Sequence, residues 1–311
     1  MRKVIGIGES ILDIIFQDDQ PVKAVPGGSV FNTMVSLGRC RLPSYFISEL
    51  GNDKVGRIIH RFMHENHLNT DYIDLFQEGY SPVSLAFLDR EQNARYQFYK
   101  NFPEKRLQVS FPKIEERDIL IIGSYFAVNP ALRKKVFELL QYAFKQKAII
   151  YYDINFRQAH AWEKECLMNS FLENFRFASL VRCSEEDLNV LFTGKTIEDI
   201  YENILSHHCP NFIVTRGEKE IHLMTKSFRK KYLTKPVHVI STIGAGDSFN
   251  AGVIYGMTQD DSLQDFSLTK EKQWNEWINW GQTFASNVCE SMENYVPENF
   301  LIKCKNNIYE D

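Results

Sequence analysis

The sequence contains no C-x-x-C pair. Its six cysteines stand apart at 40, 166, 183, 209, 289 and 304, which excludes a disulfide framework and a zinc ribbon and fits a reduced, cytoplasmic setting. It has no surplus of one charge. Thirty-six Lys and Arg against 40 Asp and Glu leave a net charge of −4, with the signs interleaved, so neither a nucleic-acid partner nor an anionic membrane surface is expected. Long apolar runs are missing too. The longest, 119–122 and 148–152, fall far short of the roughly 20 residues a membrane helix needs. The first strand pattern starts at Lys3 and leaves no room for a signal peptide. There is no Pro/Gly/Ser linker, internal repeat or low-complexity stretch. What the chain does have is 311 residues, 44% of them apolar and 13% aromatic, enough for a sizeable core.

Strand-like runs recur along it with helical segments between. Residues 4–8, 44–48, 119–123, 148–152, 179–182 and 212–215 read as strands, and 132–145 and 197–207 as helices. This β-then-α alternation predicts a mostly parallel sheet whose strands are buried on both faces. Two stretches depart from it. Residues 13–25 are polar and strand-prone; 81–100 alternate, with Val83, Leu85 and Phe87 answered by Tyr96, Phe98 and Lys100 across a turn near 90–93. They predict a small β lid, built from about 13–26 and 81–101, on one α/β domain covering 1–311. The last residues, 300–311, read as a helix end and a tail.

The sharpest chemical signal is Ser241-Thr242-Ile243-Gly244-Ala245-Gly246-Asp247, between the strand-like residues 237–240 and an apolar run at 251–257. Small residues in a strand-to-helix turn let backbone amides reach an anion at a helix N-terminus. A carboxylate beside such a turn is suited to phosphoryl transfer, since it can take the proton of an attacking hydroxyl. A tight structural turn with an acidic first helical turn explains the same residues equally well. A second glycine site is Pro26-Gly27-Gly28-Ser29-Val30-Phe31-Asn32. It offers backbone amides and a side-chain amide to a small polar ligand, or is an ordinary helix start. Gly6-Ile7-Gly8 lacks the third glycine of a dinucleotide fingerprint, and there is no P-loop. His207-His208-Cys209 reads as a solvated helix end, and Arg229-Lys230-Lys231 as a surface turn.

Together these residues resemble the ribokinase-like (PfkB) carbohydrate kinases over about residues 3–300, with the sugar-side signature at 27–38 and the phosphate-side signature at 242–252. The resemblance implies a Rossmann-like α/β/α sandwich with a β lid, ATP as phosphoryl donor, Mg²⁺, and a sugar hydroxyl as acceptor. Carried onto this chain, it makes Asp247 the base and Gly244, Ala245 and Gly246 the anion hole. Asp13, Gly27, Gly28 and Asn32 become sugar contacts. Asp153-Ile154-Asn155-Phe156-Arg157 is similar to the family's D-x-N-x-R, which puts Asn155 on the sugar and Arg157 on phosphate oxygens, unless Arg157 simply pairs with Asp153. Thr215 and Gly217 match the nucleotide loop. Gly281 and Ser286 match the helix beside the adenine, where small residues leave room for a flat base or only pack closely.

The chain departs from the family at five places. Ser241 replaces an Asp, and Glu293-Asn294 a Gly-Ala, which weakens the family's monovalent-cation site and leaves potassium activation open. Asp187, in Ser184-Glu185-Glu186-Asp187, replaces the Glu that orders Mg²⁺, a role Asp187 would fill through water. Glu220 replaces the second glycine of the nucleotide loop. The Arg-x-x-Ser-Ala after the lid strand is missing. The lid looks most like that of fructokinases and 2-keto-3-deoxygluconate kinases. A keto-hexose such as fructose is therefore the expected substrate, with 2-keto-3-deoxygluconate, ribose or a nucleoside as alternatives, or a sensing protein that has lost turnover. An acidic sugar would call on Lys100 or Arg95. Tyr96 and Phe98 share one strand face and Gln97 and Tyr99 the other; either pair could meet the sugar. The lid hairpin alone exposes an apolar face, through which members of the family often pair, so a homodimer is expected.

Overall fold

The computed structural model describes residues 2–88 and 94–307; the turn expected near 90–93 and the tail beyond 307 lie outside them. The chain opens with β1 (Val4–Ile7), β2 (Ile11–Gln17), β3 (Gln20–Gly27), α1 (Ser29–Arg39), β4 (Ser44–Gly51) and α2 (Lys54–Glu65). Short β5 (Leu68–Asn69) and β6 (Ile73–Phe76) lead to β7 (Tyr80–Leu88) and β8 (Ala94–Asn101). Next come β9 (Ile119–Gly123), α3 (Arg133–Lys145), β10 (Ile149–Asp153), α4 (Lys164–Phe177), β11 (Leu180–Ser184), α5 (Glu185–Leu191), α6 (Ile197–Asn203) and β12 (Phe212–Thr215). After β13 (Glu220–Met224) and β14 (Arg229–Leu233) the chain ends in α7 (Ala245–Gln259), α8 (Glu271–Cys289) and α9 (Phe300–Asn307).

The large sheet runs β14-β13-β12-β11-β10-β9-β1-β4-β5, with β6 also on β4. Its centre is parallel, and β13 and β14 extend one edge antiparallel. The fold is the expected α/β class. Strand parity builds two cores. Ile119, Ile121, Ile149, Tyr151 and Leu180 face the side covered by α1, α7 and α8. Leu120, Ile122, Ile150, Tyr152 and Val181 face the side covered by α3 to α6. Both faces being buried, each strand reads as a continuous apolar run.

The second sheet has the order β3-β2-β7-β8. β2 and β3 form a tight hairpin whose two turn residues, Asp18 and Asp19, have φ of 49° and 60°, the primed-turn geometry that suits twisted strands. β2 then pairs in parallel with β7, placing Asp13 beside Ser84.

Four expectations change. Residues 237–240 join no strand among the described residues; Ile240 N–H donates instead to the Cys289 carbonyl at 2.8 Å. Their β-branched content signals a strand, but the segment crosses from the sheet edge to α7 alongside the end of α8. Arg229-Lys230-Lys231 opens the edge strand β14, where charged side chains discourage pairing with another sheet. The helix expected over 197–207 is α6 followed by a separate 3-10 turn, Leu205–His207. Residues from 300 begin a helix, α9, instead of ending one.

The α7 helix is buried from Asp247 to Thr258, and α8 crosses it closely. A Cβ on Gly252 would lie 2.7 Å from Gly281 Cα and strike the Trp280 carbonyl. Gly252→Ala therefore forces the helices apart, an overpacking cost of about 1–3 kcal/mol. Urea denaturation checks this: a lower midpoint is expected, and an unchanged one refutes the close packing.

Candidate active site

The site lies at the C-terminal ends of the parallel strands, where loops of an open α/β sheet make a crevice. Its floor is the start of α7. Gly244 caps that helix with φ 78°, a left-handed conformation, and a side chain there would strike the Asn294 carbonyl. Ile243 N–H donates to Ser241 Oγ at 3.2 Å, closing the turn. The first amides of a helix have no partner inside it and carry the positive end of its dipole. Gly246 and Asp247 stand in that first turn.

Asp247 is 9% exposed, and both of its oxygens are held from α1. Ser29 Oγ donates to Oδ1 and Asn32 Nδ2 to Oδ2, each at 2.8 Å. Thr33 Oγ1 donates to the Asp247 carbonyl at 2.9 Å. Burial pushes the Asp247 carboxyl up to about 6; Asp153 adds to this, while Asn32, Ser29 and Arg157 oppose it.

Above this floor Asp13 stands on β2. Ser84 Oγ donates to its Oδ1, and burial lifts Asp13 to about 6 against the pull of Ser84 and Arg157. A Cβ on Gly27 would sit 2.6 Å from Asp13 Oδ2, so only glycine leaves that oxygen free. Gly28 caps α1. The Asn32 side chain is divided: its amide holds Asp247, while Oδ1 is buried with no partner.

The lid face is resolved by geometry. Tyr96 and Phe98 stack at 5.9 Å, and Tyr96 lines the same cleft as Asp13, Ser241, Ile243 and Asn294. Lys100 shares their face but its Nζ lies 2.6 Å from Glu9 Oε1. Arg95 has the opposite parity and faces away. The Arg157 guanidinium lies 5.9 Å from the Tyr96 ring centroid. Asn155, with φ 34°, lies in the loop between β10 and Arg157.

The other side of the site departs further from expectation. Ser184 and Asp187 form the capping box of α5. Asp187 is 6% exposed; Oδ2 accepts from Ser184 N–H and Oγ (2.7 and 2.8 Å), and Oδ1 from Phe156 N–H (2.8 Å). Burial and Asp153 push its carboxyl up. This arrangement does not fit a direct metal ligand, because Oδ2 is engaged by the α5 cap and Oδ1 by Phe156 N–H. No group of three or more His, Cys, Asp or Glu among the described residues is placed to hold a metal. Gly217, with φ 59°, has open space where a side chain would be. Glu220 does not crowd that turn: Oε1 lies 2.6 Å from both His222 Nε2 and Arg216 Nη1, which hold the carboxyl down to about 2. Gly281 is a packing residue. The space over its Cα is filled by Phe249 and Val253 of α7, 2.7–2.9 Å from a Cβ, so it offers no slot for a flat base. Ser286 is half-buried later on α8.

One residue of the site escaped the sequence reading. Arg182 on β11 is 6% exposed. Nη1 donates to Asp153 Oδ1 at 3.1 Å and Nη2 to Thr215 Oγ1 at 2.7 Å. Asp153 therefore pairs with Arg182 and not with Arg157. The signal was available: an arginine inside the apolar strand Leu180–Ser184 must be buried with a partner.

A buried carboxylate at a glycine-led helix N-terminus, beside a cleft in which Asp13, Tyr96, Ser241 and Asn294 interrupt an apolar lining, is the equipment of an enzyme that moves an anionic group onto a hydroxyl. The chain belongs to the pfkB family of carbohydrate kinases, whose model matches residues 1–298. It is 24% identical over 282 residues to probable fructokinase-6, chloroplastic, of Arabidopsis thaliana, covering 86% of this chain and 73% of that one. Two solved structures share the fold. Aminoimidazole riboside kinase from Salmonella enterica superposes with a TM-score of 0.83 at 17% identity, covering 98% and 99% of the two chains. Fructokinase from Vibrio cholerae O395, in its fructose-, ADP- and calcium-bound form, gives 0.82 at 21%, covering 97% and 98%. No helix among the described residues is long and apolar enough to cross a membrane.

The burial of Asp247 has a consequence for stability. With a folded pKa of about 6 against an ordinary 3.8, the folded protein holds this proton more tightly than the unfolded chain. The group's contribution is therefore fully present below about pH 4 and lost as pH rises through 6, by up to about 3 kcal/mol. Asp247→Asn removes the charge. It is expected to raise the denaturation midpoint at pH 8, with the advantage fading at pH 4.5. A variant no more stable than wild type at pH 8 contradicts this reading.

Proposed function

We propose that the protein transfers the γ-phosphoryl group of ATP to a primary hydroxyl of a keto-hexose, with fructose the leading substrate. The observation that carries this is the placement of Asp247, oriented by Ser29 and Asn32 at the N-terminus of α7 and facing the lid. The relatives named fructokinase support the sugar class. In this reading the lid sheet is an appendage of one α/β domain spanning the chain.

The sugar lies between Asp13, the partnerless Asn32 Oδ1, the Gly27–Gly28 backbone and Asn155, with Tyr96 and Phe98 covering it. ATP lies over the strand ends at Ser184, Thr215 and Gly217, with Ser286 at the base end. Asp247 takes the proton of the attacking hydroxyl, and lid closure excludes water. The Gly244 and Gly246 amides receive the charge spread over the transferring phosphoryl group, while Ala245 N–H, also expected there, donates to the Thr242 carbonyl at 3.2 Å. Arg157, near Asp13, Tyr96 and Asp247, adds a positive charge at the point of transfer. Mg²⁺, which would arrive with the nucleotide, would supply further positive charge there. Lys100 is engaged by Glu9 and Arg95 faces away, which favours a neutral sugar over an acidic one.

An ADP-release assay over a panel of fructose, ribose, 2-keto-3-deoxygluconate and adenosine tests this. Fructose-dependent release is expected, and Asp247→Asn should bind sugar and ATP yet lose most turnover, about 10²–10⁴-fold. Near wild-type turnover in the variant sinks the assignment of Asp247. Release with adenosine but not hexoses favours a nucleoside kinase, and release with no sugar favours a sensing protein.

A homodimer through the lid belongs to the same reading, with Tyr99 and Val22 (52% and 55% exposed) on the lid. Light scattering at micromolar concentration should return the dimer mass; a monomer mass rules the pairing out.

A further inference from the structure

The buried pair Arg182–Asp153 is not explained by holding the fold alone. By strand parity Arg182 follows Leu180 onto the sheet face that α7 covers. There it meets the start of that helix. A Cβ on Gly246 would lie 3.0 Å from Arg182 Nη2 and 3.1 Å from Nη1, and the guanidinium stands 5.8 Å from the Phe249 ring centroid. The position of Gly246 thus needs glycine because an arginine fills the side-chain space behind it.

The network continues from both ends. Nη2 reaches Thr215 at the end of β12. Asp153 Oδ2 accepts from Asn250 Nδ2 at 2.8 Å, and Asn250 Oδ1 accepts from Tyr151 OH at 2.8 Å. Arg182 Nε is buried with no partner. Asp153 itself is wholly buried, so its charge needs a partner in the same low-dielectric space. It also lies close enough to oppose ionisation of Asp247.

We infer that Arg182 is a positioning residue of phosphoryl transfer: its guanidinium shields Asp247 from the Asp153 carboxylate and backs the Gly244–Gly246 turn on which the transferred group rests. This rests on the kinase reading above. Other groups face Asp247 as well: Ser29 and Asn32 from α1, Asp13 and Tyr96 across the cleft, and Arg157 after β10. Arg182 differs from them in touching Asp153 and Gly246 together.

The test uses Arg182→Met, Arg182→Lys and the double variant Arg182→Met/Asp153→Asn in the full-length protein. Two readouts are followed: turnover against pH with the sugar that wild type uses, and the titration midpoint of Asp247 by carboxyl ¹³C NMR, assigned against Asp247→Asn. Arg182→Met should lose about 100-fold in kcat at neutral pH with sugar KM little changed. Its Asp247 midpoint and the acid limb of its rate should both move up by about 1 pH unit or more. Arg182→Lys should recover most of both. The double variant, which removes both charges, should return the midpoint to the wild-type value. If Arg182 only supports the fold, Arg182→Met lowers stability and the active fraction while the midpoint stays where it was; that result overturns the inference. If wild type phosphorylates no sugar, the kinase reading fails on its own, and the NMR midpoints still decide whether Arg182 shields Asp247.

Discussion

Two helix N-termini meet at one carboxylate. Asp247 is bound through its side chain by Ser29 and Asn32 of α1 and through its backbone by Thr33, so the start of α1 and the start of α7 cannot move independently. Most other features of the site follow from that joint. Gly244 must be left-handed to turn the chain into α7 there. Asn32 spends its amide on the joint and so has only its oxygen left for a ligand. The lid's Asp13 and Tyr96 are arranged around the small volume the joint leaves open.

The second constraint is electrostatic. Asp153, Asp187 and Asp247 are all buried, and Asp153 opposes ionisation of both of the others; Asp13 is half-buried on the lid. Hydrogen bonds settle Asp187, whose oxygens accept from the α5 cap and from Phe156 N–H. Arg182 settles Asp153. Asp13 and Asp247 are left with raised affinity for protons, which costs stability and yields groups able to exchange a proton near neutral pH. Near-neutral net charge for the whole chain is compatible with the proposed function, in which an anionic ligand is met by placed amides and a few guanidiniums and not by a basic surface.

The fold was largely legible in the sequence, since parallel strands buried on both faces announce themselves as apolar runs between helices. The lid was legible as well, from alternation in 81–100. Residues 237–240 misled because β-branched residues suit any extended backbone, paired or not. Arg229-Lys230-Lys231 misled because an edge strand carries the same charges as a turn. At the site, glycine spacing located both helix starts, while three things were hidden. Which face of Phe98 and Tyr99 turns inward depends on the register with β7. What Gly281 is for depends on the neighbouring helix. Asp153's partner lies on another strand, so the D-x-N-x-R stretch left pairing with Arg157 open as an alternative when the ion pair is made with Arg182.

The parallel pairing of β2 with β7 bears on how the molecule comes into being. Asp13 and Ser84 are 71 positions apart, and β4 and α2 of the main body are made in the interval. Closing so long a loop has an entropic cost that local hairpins escape. The β2–β3 hairpin can form early and gives Asp13 its β3 neighbour, yet its second neighbour, Ser84, is missing until β7 has been synthesised and docked. The Asp13 side of the cleft is thus finished late in folding, after α1 and β4 are available as a template. A chain arrested before β7 would carry a folded-looking start and an incomplete second sheet.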